Sequence, residues 1–151
     1  MDNYADLFLQ NVQKDAEEAG VTVGGGSRES GTSGGDIVMT MLTMRNQIKL
    51  YHWQTHLFSR HKATDELVEK LDGNIDTFVE TYMGKYGRPT VTGSIKLHNY
   101  SEKASHRFVA DCRGYFISLT RKLSKDDTDL LNLRDTILGD LNQALYLFTL
   151  H

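Results

Sequence analysis

Residues 59–86 are the longest stretch of the chain that can run as a single helix, and their side chains divide into two stripes. At 100° per residue, Leu67, Leu71, Ile75, Phe78 and Tyr82 fall within about 80° and form a core stripe. His61, Asp65, Glu69, Asp72, Asp76 and Glu80 fall within a separate arc of about 100°, centred roughly 130° from the first. A helix of this length reaches ~40 Å and needs partners of similar length to bury its apolar stripe. The second stripe then lies on an outer flank. Any site built from it is closed only by a neighbouring surface.

The rest of the chain supplies the partners. The spacing predicts a first helix over 36–58, opened by Asp36, with Ile37, Met41, Met44, Ile48, Tyr51 and Phe58 on its core face. Met39, Leu42, Leu50, Trp53 and Leu57 lie on nearly the opposite face. A second apolar face implies contact with another chain, or a bundle that covers it internally; self-association is the expectation. Gly87 and Pro89 stop the second helix. Ser101 caps a third helix to 123, with Phe108, Cys112, Tyr115 and Leu119 sharing a face. Asp126, with Asp129 behind it, opens a fourth to 148, with Leu130, Leu133, Ile137, Leu141 and Leu145 inward. Four helices of this kind form an all-α four-helix bundle over residues 36–151.

The connection 88–100 bears on topology. Extended, it spans at most ~43–47 Å. It can run the length of the bundle and leave the second and third helices parallel, or fold as a local loop between antiparallel neighbours. Length alone leaves both open.

Residues 1–35 form an acidic tail outside this domain. Residues 4–18 can form a short amphipathic helix through Tyr4, Leu7, Phe8 and Val12. Residues 20–35 hold seven of the thirteen glycines and read as a flexible tether. The segment is either a partly ordered tail or a peptide that docks on a neighbouring subunit or another protein, of unidentified kind. Seven acids against two bases give residues 1–36 a charge of −5; thirteen against fifteen leave +2 on the remainder. Neither part carries the basic face that phosphate-backbone binding needs, so DNA binding is disfavoured. The single cysteine, Cys112, rules out an internal disulfide framework. No apolar run approaches a membrane span and no signal-peptide layout opens the chain, so a soluble, cytoplasmic protein is expected.

His52, His56 and His61 lie within ten residues of each other, immediately before the carboxylates. Imidazoles with carboxylates suit a redox-capable transition metal, iron above all. His61 and Asp65 stand at i, i+4, as do Asp76 and Glu80, so each pair can point at one ion. An acidic stripe is more often a solvated face, but such faces are interleaved with lysines. Here Lys70 lies off the stripe and only Lys62 borders it.

On these residues, 52–87 resembles the Dps mini-ferritins of the ferritin-like superfamily. The family pattern is a His-Trp pair closing one helix, His-x-x-x-Asp opening the next, and Asp-x-x-x-Glu eleven residues after that Asp. His52-Trp53, His61 with Asp65, and Asp76 with Glu80 match it in order. The resemblance implies a ferritin-like bundle and a ferroxidase centre shared across a two-fold subunit interface. His52, His61, Asp65, Asp76 and Glu80 would be the ligands, divided between two chains in a grouping left open. Glu69 and Asp72 would be neighbours that guide ions inward. It also implies a homo-oligomeric shell, dodecameric in the family, in which iron(II) is oxidised, with peroxide as the usual oxidant, and stored as ferric mineral, with zinc as a possible substitute at the site.

The chain departs from the pattern at the corner after His52, about three residues shorter than usual. That puts the place of His52 in question and makes His56 a further ligand candidate. The connection 88–100 is also shorter than the family's, and the lysine-rich tail of some members is absent. The alternative is a ferritin-like bundle degraded at its site and retained for assembly or interaction. An internal di-iron oxygenase is disfavoured, because it needs Glu-x-x-His motifs and none occurs; Glu102 and His106 are four apart.

Overall fold

The computed structural model describes residues 34–151. Among them, four α-helices form: α1 (Gly34–Gln54), α2 (Phe58–Tyr86), α3 (Glu102–Ser118) and α4 (Thr128–Leu147). No strand occurs among the described residues. The amphipathic segment 4–18 and most of the glycine-rich tether lie outside them.

Each apolar stripe buries against the others. Met41, Met44 and Ile48 of α1, Leu67, Leu71 and Phe78 of α2, Tyr115 and Phe116 of α3, and Leu130, Ile137 and Leu141 of α4 are fully buried. Each such side chain stabilises the fold by about 1.5–3 kcal/mol relative to exposure. Helix α2 packs on both α1 and α4, and α3 packs on α4, whereas α1 and α3 touch sparingly.

The segment between α2 and α3 settles the topology. Gly34, at the start of α1, abuts the ring of Tyr82 near the end of α2, so these helices are antiparallel. From there the connection climbs α1 as an extended strap. Gly93 lies beside Met39, His98 exchanges both backbone hydrogen bonds with the Gln47 side chain (2.7 and 2.8 Å), and the Tyr100 amide donates to Gln54 (2.7 Å). It delivers α3 to the start of α2, where the Arg60 guanidinium donates to the Glu102 carbonyl and to Ser105 (2.8 Å). Helices α2 and α3 are therefore parallel. Helix α4 returns from the Lys85–Asp127 contact at one end to the Arg60–Phe148 contact at the other.

Several boundaries differ from the sequence expectation. The chain is already helical at Gly34, inside the expected tether, where a Cβ would lie 2.8 Å from the Tyr82 ring. Asp36 sits in the first turn rather than at the cap. Helix α1 ends at Gln54, not at 58. The Thr55 hydroxyl accepts the Leu57 amide (3.2 Å), a local turn that competes with the helix, and Phe58 opens α2 while 78 % exposed rather than filling the core. Helix α3 ends at Ser118, followed by a 3-10 turn over Leu119–Arg121. Ser101 does cap it, accepting the Ala104 amide at 3.1 Å. Helix α4 takes Asp127, not Asp126, as its N-cap residue.

Candidate metal centre

The three-residue corner between α1 and α2 presses the last turn of one against the first turn of the other. The rings of His52 and His61 stack there, 4.1 Å apart and inclined by 23°. Each Nδ1 lies 3.0 Å from the backbone carbonyl of the other residue. A carbonyl oxygen only accepts, so both Nδ1 atoms carry the proton. The lone pair of each neutral ring is thereby placed on Nε2, the tautomer in which a histidine ligates through Nε2. Thr64, fully buried one turn along α2, braces the pair; its hydroxyl donates to Arg60 O (2.8 Å) and lies 3.5 Å from His52 Nδ1.

His52 is buried, and its Nε2 stands 3.6 Å from a carboxylate oxygen of Asp65. Two ligands about 2.1 Å from one ion and about 110–120° apart are themselves about 3.4–3.6 Å apart. His52 and Asp65 already stand at ligand-to-ligand distance. The set goes no further within one chain: among the described residues, no three of His, Cys, Asp and Glu gather around one point.

Asp76 and Glu80 share the exposed flank of α2 but lie eleven residues beyond the His61–Asp65 pair, roughly 16 Å along the axis. His56 is exposed in the corner. Glu69 lines a cleft of about 570 Å³ beside Asp65, walled by Phe58, Leu147 and Leu150. Asp72 is engaged: Arg45 grips both its oxygens, at 2.6 and 3.1 Å, and that hydrogen bonding holds its carboxyl below the usual range. Cys112 is buried, and burial pushes its thiol well up.

The second apolar face of α1 is on the surface. Trp53 is 68 % exposed and Leu42 42 %, with Leu57 also exposed and Met39 and Leu50 half-buried. The stripe has a symmetry that composition does not reveal. Leu42 and Leu50 lie four residues either side of Asn46, and Met39 and Trp53 lie seven either side. On α2, Asp65 and Asp76 are equally far from the Lys70–Leu71 bond, and so are His61 and Glu80. The pairings Gly34–Tyr82, Arg45–Asp72 and His52–His61 put Asn46 level with that bond to within a turn of helix. The two centres of symmetry coincide across the α1–α2 pair.

Fold and flank together define an all-α bundle with one long crossover and a flank of histidine and carboxylate side chains on α2. The chain belongs to DUF5856, a family of unknown function whose match covers residues 52–148. All five ligand candidates fall inside that span. No curated protein and no solved structure matches the chain. No described helix is long and apolar enough to cross a membrane.

Proposed function

We propose that this protein is a ferritin-like, Dps-type mini-ferritin that oxidises iron(II) at centres shared between two copies and stores the ferric product in a homo-oligomeric shell. The observation that carries the reading is the coincidence of the two symmetry centres. In a two-fold contact, residue i opposes j and j opposes i. A two-fold axis running across the exposed face of α1 and α2, outside the chain and level with Asn46 and the Lys70–Leu71 bond, brings the partner's acidic pair to each chain's histidines. His52, His61 and Asp65 come from one copy, and the partner copy supplies its Asp76 and Glu80. The same axis sets Leu42 against a second Leu50 and Met39 against a second Trp53, covering the exposed face.

Each residue type has a task at such a centre. The Nε2 lone pairs of His52 and His61 hold iron(II), and the three carboxylates favour the harder iron(III) as it forms. Each iron gives up one electron, and a pair of irons reduces a molecule of hydrogen peroxide, with two protons from solvent, to water. Glu69 lines the approach as an attractive surface for cations, whereas Asp72 is neutralised by Arg45.

The test is anaerobic addition of ferrous iron and peroxide with ferric absorbance followed. The expected result is oxidation well above a protein-free blank, abolished by Asp76→Ala with Glu80→Ala. Oxidation at the blank rate, or an unaffected double variant, overturns the reading. A second reading is favoured by the failure of three ligands to gather within one chain: a ferritin-like bundle kept for assembly, without iron chemistry. Substoichiometric iron in an otherwise intact oligomer after loading identifies it.

A further inference from the structure

A second polar site lies away from the histidine pair, under the strap between α2 and α3. Residues 95–100 run extended with alternating burial: Lys96, His98 and Tyr100 turn toward the bundle while Leu97 and Asn99 face out. The strap's backbone is held in place by Gln47 and Gln54, so these side chains are committed to the interior. They cover the gap left where α1 and α3 barely touch. The Tyr100 ring sits edge-on to Tyr51, 6.0 Å away, which closes one end with aromatic surface.

The buried ends of these side chains lack partners. Lys96 Nζ, His98 Nε2 and Tyr100 OH are all enclosed and make no hydrogen bond among the described residues. An ammonium has three donors and accepts nothing, and a phenol donates one more. A buried cation without a counter-charge is costly, and each buried donor left unmade costs ~1–3 kcal/mol. Elsewhere the fold satisfies its buried cations: Arg60 and Arg134 donate to helix-terminal carbonyls. The seam under the strap is the exception: among the described residues, its lysine, histidine and tyrosine ends meet no partner.

We propose that the seam binds a small tetrahedral oxyanion of the phosphate class, held by Lys96, Tyr100 and His98. An oxyanion supplies the missing negative charge and several acceptors at once, which neutral water does not. The proposal is independent of the iron reading, since none of the three residues belongs to the α2 flank.

Thermal melting of the full chain in inorganic phosphate, against chloride at equal ionic strength, tests it. The expected result is a melting temperature that rises with phosphate concentration, as for a ligand that binds only the folded state. Lys96→Met should abolish the rise and Tyr100→Phe should reduce it. Because Lys96→Met removes a costly buried charge, it is expected to fold, and its melting temperature in chloride shows that it has. Equal melting in both salts for the wild-type chain, or a phosphate effect that survives Lys96→Met, overturns the proposal. The seam would then be hydrated, or the phosphate bound elsewhere.

Discussion

At the scale of single residues, the bundle ends are closed by charges that meet complementary groups. Arg134 donates to the Phe116 carbonyl (3.2 Å) and to the Thr120 hydroxyl, capping the end of α3. Arg60 does the same for α4 at Phe148, whose ring lies 3.9 Å from the guanidinium carbon. Both exploit the negative end of a helix. At the opposite end, buried Asp127 accepts from Lys85 (2.8 Å), Tyr86 and the Ser124 amide, and the Lys85 contact is the main cause that holds its carboxyl below the usual range. The same contact raises Lys85. A lowered carboxyl stabilises the fold where it is ionised, so this contribution is full above about pH 4 and is lost as pH falls further. The raised lysine contributes below about pH 10.5 and is lost as pH rises beyond it. Asp127→Asn should therefore lower the melting temperature between about pH 5 and 9, with the gap to wild type closing below about pH 3. A gap that widens in acid would contradict the assignment.

At the scale of elements, helix phases were legible and helix ends were not. The core stripes of α2 and α4 follow directly from apolar spacing, because periodicity registers which face is buried. The end of α1 was missed by four residues, because it depends on a hydroxyl turning back on its own backbone at Thr55. The topology stayed open for a different reason. A connection of that length fits either arrangement, and what decides it is Gln47 and Gln54, two side chains with no motif to mark them. In the candidate site, the residue types were legible, but the stacking of His52 on His61 was not, since it depends on how tightly the corner closes. The Gln47 assignment is testable. Gln47→Ala leaves the amide and carbonyl of His98 unpaired and should cost about 1–3 kcal/mol. It should also speed hydrogen exchange along 96–100 more than in the α2 core. Uniform acceleration through the whole bundle would mean that the strap is no separate unit.

At the scale of the whole molecule, the proposed centre takes His52, His61 and Asp65 from one copy and Asp76 and Glu80 from the other. Oligomerisation by itself does not establish this, because the exposed face around Trp53 can mediate contacts that leave the ligands unshared. Mixing separates the cases. His61→Ala with Asp65→Ala disables the histidine side of each centre, and Asp76→Ala with Glu80→Ala disables the acidic side, so each variant alone should be inactive. Unfolded together and refolded at equal ratio, random pairing makes half of the two-fold contacts hybrid, each with one intact centre. About a quarter of the wild-type ferroxidase activity should return. Mixing without refolding should restore nothing if the contacts exchange slowly, which controls for contaminating activity. A site contained within one chain predicts no recovery at any ratio, because every chain in the mixture carries a broken set. Leu50→Lys should lower the recovery and the oligomer mass together, since it places charges opposite Leu42 on both sides of the axis. Loss of mass with recovery unchanged would separate the exposed α1 face from the iron site and leave the symmetry of the two helices without a role.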